Sequence, residues 1–185
     1  MNSTATDTIA NAPPALPVAL IVMGVSGVGK STVGMPLADK LSWPFRDGDG
    51  FHPPENVEKM RSGTPLTDED REPWLRAIAA WIDLRRKDGT HGVIACSALK
   101  RAYRDILRDG HSDVRFVFLD GQRELIADRL AQRKGHYMPA SLLDSQLATL
   151  EPPTADENAI VVSVAGQPDE IVEAILDRLA IQRAG

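Results

Sequence analysis

Val18-Ala19-Leu20-Ile21-Val22-Met23, followed without a break by Gly24-Val25-Ser26-Gly27-Val28-Gly29-Lys30-Ser31, joins an apolar run to a glycine-rich one. The first six residues are uniformly apolar and partly β-branched, the pattern of a strand buried on both faces of a parallel sheet. The next eight form a complete GxxxxGK(S/T) loop, and the helix-period segment Ser31–Leu41 begins at its end. Glycines let the backbone turn so that consecutive N–H groups and a helix N-terminus face phosphate oxygens. Lys30 adds a cation, and the Ser31 hydroxyl is a ligand type for Mg²⁺. Gly24 through Thr32 is therefore read as the site of a nucleoside triphosphate.

Outward from this loop, apolar runs recur at Val93–Cys96, Val114–Leu119 and Ile160–Val164, with a weaker one at Pro44–Arg46. Between them lie segments of helical period: the stretch around Trp74, Ile78, Trp81 and Ile82, then 99–108, 124–132, 142–150 and 168–179. Strand alternating with helix predicts a doubly wound α/β domain with helices on both faces. Pro168-Asp169-Glu170 suits a helix first turn, and Gly63 suits the left-handed close of a short helix over 54–62. Pro73 inside a helical pattern places that helix start near Arg71 and leaves Thr67–Asp70 as a turn. Lys134-Gly135-His136-Tyr137-Met138-Pro139 interrupts two helices and is expected to be a lid over about 133–140.

The 185 residues suit one domain, with 1–17 expected as a disordered leader and 18–185 as the folded unit. Lys plus Arg number 21 against 26 Asp plus Glu, a net charge of −5 that gives no global attraction for nucleic acid or an anionic membrane. Neither is expected as a partner, and an anionic ligand must be held by a local basic site. Hydrophobic residues at 43% and charged residues at 25% fit an ordinary soluble globule. The single cysteine, Cys96, excludes an intrachain disulfide and points to a reducing compartment. The leader carries no Lys or Arg and no long apolar run, unlike a secretory signal, so the expected location is cytoplasmic. One cysteine and four scattered histidines have no zinc spacing.

Arg129 and Arg133 are four apart, on one helical face just before the lid. They suit gripping ATP and stabilising charge on a transferring phosphoryl group. A lid excludes water, the competing phosphoryl acceptor. Asp47-Gly48-Asp49 follows the weak second strand, so both carboxylates are expected at the carboxyl end of the sheet, facing the phosphate loop. Asp47 is assigned to Mg²⁺ through water and Asp49 to accepting an alcohol proton.

Three blocks, DGDGFHPPENVEKMRSGTPLTDEDREPWL from Asp47, CSALKRAYRDILR from Cys96 and RLAQRKGHYMPASLLDSQLATLEPP from Arg129, resemble the bacterial-type gluconokinases, which phosphorylate D-gluconate at O6 with ATP. The likeness spans Met23 to about Pro153. It implies an adenylate-kinase-like P-loop kinase fold with a five-stranded parallel sheet of order 2-3-1-4-5, and a homodimer. The family loop commonly carries a small residue where Val28 stands, and this leader is longer than usual. A sugar acid needs a cationic anchor and several hydrogen-bond partners. Arg71 is the favoured carboxylate anchor, with His52, Lys59, Ser97, Lys100, Arg104 and the lid His136 as further candidates. Gln167 and Pro168 fall where the adenine edge lies in related kinases. Trp74, Trp81 and Tyr103 are expected to pack rather than stack on nucleotide. A nucleoside monophosphate or shikimate-type kinase on the same scaffold, or a nucleotide-operated switch, are the competing readings. The chain has no guanine-reading NKxD sequence, which disfavours a GTPase.

Overall fold

Ala19–Met23 forms β1, whose five residues are all fully buried. Alternate side chains leave a strand on opposite faces. Leu20 and Val22 accordingly join one apolar cluster while Ala19, Ile21 and Met23 join another. A strand apolar at every position thus requires cover on both sides. The computed structural model of the chain describes residues 16–132 and 140–179. Most of the leader and the lid segment, including Arg133 and His136, lie outside the described residues.

After β1 come α1 (Lys30–Leu41), β2 (Phe45–Asp47), α2 (Pro54–Arg61) and α3 (Asp68–Lys87). The chain continues through β3 (Gly92–Ala95), α4 (Arg101–Arg108), β4 (Val114–Asp120) and α5 (Arg123–Gln132). It closes with α6 (Ala140–Thr149), β5 (Ile160–Ser163) and α7 (Pro168–Arg178). The five strands are parallel in the order β2-β3-β1-β4-β5, as the family resemblance implied. Val33 and Leu37 of α1, Ile126 of α5 and Val172 and Ile175 of α7 cover one face. Trp74, Leu75, Ile78 and Ile82 of α3, with Tyr103 and Leu107 of α4, cover the other.

The weak second strand is real, and its weakness has a cause: β2 is a three-residue edge strand, half-buried at Phe45 and exposed at Arg46 and Asp47. The α3 boundary corrects the expectation from Pro73, since the helix begins at Asp68 rather than near Arg71. Thr67 caps it. Its hydroxyl accepts the Asp70 N–H at 3.2 Å, and the Asp70 carboxylate accepts the Thr67 N–H at 3.0 Å. This reciprocal cap, with three acidic residues in the first turn, outweighs the backbone bond lost at Pro73. The carbonyl that bond would have used belongs to Glu69, an exposed residue.

Candidate active site

β1, β2 and β3 release their chains at one edge of the sheet, and a cleft of about 530 Å³ opens there. The phosphate loop forms its floor with Ser26, Gly27, Gly29, Lys30 and Ser31. Gly24, Gly27 and Gly29 have φ of 144°, 83° and 107°, values side chains rarely tolerate. Lys30 Nζ donates to the Gly24 and Val25 carbonyls, each at 3.1 Å, and the Gly24 N–H donates to the Ser97 carbonyl at 3.2 Å. Val28 is buried in the core beneath the loop, so its larger side chain points away from the phosphate side. Thr32 is exposed on the first turn of α1.

Asp47 and Asp49 stand on the wall opposite. The Asp47 carboxylate accepts the Asp49 N–H at 3.0 Å, which caps the single 3₁₀ turn Gly48–Phe51. Gly48 between them has a packing reason: any Cβ there would drive into the Ala95 carbonyl oxygen. The turn lies flat on the end of β3, and the Trp74 indole N–H donates to the Gly48 carbonyl at 2.7 Å. The same indole stacks on His52, centroids 4.2 Å apart and planes 15° from parallel. Burial pushes the His52 pKa down, with Asp49 opposing and Arg71 reinforcing the shift. Trp74 therefore packs, as expected, and also shapes the cleft wall.

Arg71 lines the cleft, held by a 2.5 Å bond from Nη1 to the Leu66 carbonyl and lying 5.8 Å over the Tyr103 ring. Ser97 lines it as well. Cys96 does too, but burial pushes its thiol up to about 12, so it stays protonated and inert.

Three sequence candidates are placed elsewhere. Lys59 pairs with Asp70 at 2.7 Å, and Lys100 with Asp68 at 3.0 Å, where the Tyr103 hydroxyl also donates. Neither lysine lines the cleft; both tie down the first turn of α3, which carries Arg71. Arg104 is the clearest correction. It is 1% exposed and bidentate to Glu157, at 2.6 and 2.9 Å, and its remaining nitrogen donates to the Ala98 and Leu99 carbonyls. With every nitrogen committed in the interior, it clamps the chain after β3 to the turn before β5 and does not face the cleft. Arg104 holds the Glu157 carboxyl below its usual range, so the pair persists at neutral pH and is lost only in acid below that range. Glu157→Ala leaves a buried guanidinium unpaired and should cost about 3–5 kcal/mol, lowering Tm by roughly 6–20 °C in a thermal melt. An unchanged Tm would contradict the role of this pair.

On the nucleotide side, Arg129 Nη2 donates to the Val164 carbonyl at 2.6 Å, linking α5 to the loop that precedes α7. Gln167 caps that helix through Glu170, and Pro168 is its first residue. Gln146 of α6 escaped the sequence reading. Its side-chain oxygen accepts the Ser26 N–H at 2.7 Å, and its nitrogen donates to the Ser26 hydroxyl at 3.1 Å. Gln146 is one of several polar residues in α6, and no spacing signal singles it out.

A glycine-rich anion cradle with Lys30 and Ser31, facing two carboxylates and an arginine across a cleft on a 2-3-1-4-5 sheet, defines a P-loop kinase of small molecules. The family model described as Shikimate kinase matches residues 26–180. The chain is 52% identical over 157 residues to a gluconokinase of Gluconobacter oxydans (strain 621H), covering 85% of this chain and 88% of that one. It is 51% identical over 142 residues to the thermosensitive gluconokinase of Escherichia coli (strain K12), covering 76% and 75%. A crystal structure of a gluconokinase from Sinorhizobium meliloti 1021 superposes with a TM-score of 0.81 at 48% identity, over 89% of this chain and 93% of that one. The chain belongs to the gluconokinase family.

Proposed function

We propose that the protein transfers the γ-phosphoryl group of ATP to the 6-hydroxyl of D-gluconate, giving 6-phospho-D-gluconate and ADP. The observation that carries this reading is the convergence of Lys30, Ser31, Asp47, Asp49 and Arg71 on one cleft. In this reading the loop amides and Lys30 hold the β- and γ-phosphates. The Ser31 hydroxyl and the Asp47 carboxylate, reached through water, are hard oxygen donors that suit Mg²⁺, which supplies charge neutralisation on the phosphates when bound. Asp49 takes the proton from the attacking hydroxyl, Arg71 pairs with the gluconate carboxylate, and His52 and Ser97 supply hydrogen bonds to the polyol. Arg129 supports the nucleotide side with Gln167 and Pro168. Arg133, by its spacing from Arg129, stabilises charge on the transferring phosphoryl group, and His136 of the lid segment contacts the substrate. The working protein is proposed as a cytoplasmic homodimer without nucleic-acid or membrane partners. The homodimer rests on the family resemblance, and the net charge of −5 gives no global attraction for nucleic acid or an anionic membrane; among the described residues no helix is long and apolar enough to cross a membrane.

A coupled ADP-release assay across gluconate, glucose, shikimate and AMP tests the reading. Gluconate should far exceed the others; preference for shikimate or AMP, or ATP hydrolysis indifferent to all four, would overturn it. Selectivity has a residue-level test. Glucose shares the primary 6-hydroxyl but lacks the carboxylate, so discrimination rests on the cation that meets that group. Arg71→Ala removes a charge-assisted contact of about 1.5–3 kcal/mol, so kcat/KM for gluconate should fall roughly ten- to over a hundredfold and the preference over glucose should narrow. Full selectivity retained in steady-state kinetics would move the carboxylate to another residue.

A further inference from the structure

Asn56 has no part in the chemistry above, yet it is 2% exposed, and the two other buried polar side chains among the described residues, Arg104 and Glu157, satisfy each other. A buried amide must place its donors. Asn56 Nδ2 lies 2.7 Å from the Asp70 main-chain oxygen and 3.3 Å from His52 Nδ1. A carbonyl oxygen only accepts, so the amide end facing Asp70 is the NH₂ group, and the Asp70 carbonyl thereby fixes the amide orientation. The second N–H of that nitrogen then faces His52 Nδ1, which has to accept it. An imidazole accepting at Nδ1 carries its proton on Nε2 and is neutral. We infer that Asn56 is a positioning residue that locks His52 in its neutral Nε2–H tautomer, so that the ring presents one hydrogen-bond donor to an oxygen of the sugar acid. The use made of that donor rests on the gluconate reading; the tautomer itself does not.

The surroundings agree. Trp74 stacks on the ring and fixes its plane, and burial favours its neutral form. The charged groups that bear on it are Asp49 from the 3₁₀ turn, which favours the imidazolium, and Arg71 from α3, which opposes it. Leaving His52 neutral keeps the carboxylate-matching charge on Arg71 and gives the imidazole a directional role in ordering the polyol. Protonation would set Nδ1–H against the Asn56 N–H, donor on donor. Activity toward gluconate should therefore be retained above the ordinary histidine value of 6.5 and fall as pH drops through the lowered pKa.

Long-range ¹H–¹⁵N correlation on the full ¹⁵N-labelled chain, without substrate, reads the ring directly, His52 being assigned by its loss in His52→Gln. The expected spectrum at neutral pH has Nδ1 unprotonated and Nε2 protonated. An Nδ1–H tautomer, a mixture of the two or an imidazolium would overturn the inference, and this wild-type measurement decides it even if no Asn56 variant folds. In Asn56→Asp the carboxylate accepts Nδ1–H, so the ring's titration midpoint should move to higher pH and the acid-side fall in kcat/KM for gluconate should move up with it. An unmoved midpoint in a folded Asn56→Asp would also count against it. If the tautomer is as expected but gluconate is not phosphorylated, only the proposed function fails.

Discussion

Asp49→Asn should lower kcat by about a hundred- to ten-thousandfold while gluconate still binds, the range that a positioned general base contributes. The substitution keeps the size of the side chain and removes its charge and its capacity to take a proton, which also relieves the pull of Asp49 on His52. Asp49 is suited to such a clean test. Its backbone is held by the Asp47 cap and Gly48 beside it by Trp74, so neither restraint depends on the Asp49 side chain. Titration calorimetry with gluconate separates binding from chemistry, and steady-state kinetics supplies kcat. A variant with unchanged kcat would show that phosphoryl transfer needs no base at this position, as a loose transition state permits. A variant that fails to bind gluconate would make Asp49 a substrate anchor.

Lys30→Ala should reduce kcat by about a hundred- to a thousandfold or more, because a preorganised cation on the phosphates stabilises charge that grows during transfer. Lys30→Arg should not restore it, since the site uses a compact point charge rather than a planar fork. The lysine also braces the loop through the Gly24 and Val25 carbonyls, so a lost activity has two physical sources. A melting curve separates them. An unshifted Tm with lost kcat assigns the effect to chemistry, whereas near-wild-type turnover would remove Lys30 from the mechanism.

The parts of this protein legible along the chain are those built from neighbours in sequence. The run 18–31 specified a buried strand, a phosphate loop and a helix start because alternation, glycine torsions and the first-turn N–H groups are all local. The central strand and its loop appear as read. Asp47 and Asp49 were legible for the same reason: a strand end in a parallel sheet delivers its loop to the carboxyl edge. The start of α3 departs from the expectation because Pro73 is a visible breaker, whereas the Thr67–Asp70 cap becomes decisive only as a pair.

Cations were the least legible. Lys59, Lys100 and Arg104 looked equally available for a sugar acid, and each instead met a carboxylate 11, 32 and 53 residues away. Charge says that a side chain seeks an opposite partner; only the packing of α2, α3, α4 and the turn before β5 decides which partner comes within hydrogen-bond reach. The Gln146 contact to Ser26 crosses 120 residues for the same reason. Asn56 and His52 are only four apart, yet the tautomer was unreadable, because the acceptor that orients the amide is the Asp70 carbonyl on another helix. The chain by itself determined the chemistry available, a phosphate cradle beside two carboxylates. The tertiary structure decided which charged side chains are left to face the substrate, because packing sets Lys59 and Lys100 beside carboxylates of α3 at the surface and burial makes an unpaired Arg104 too costly.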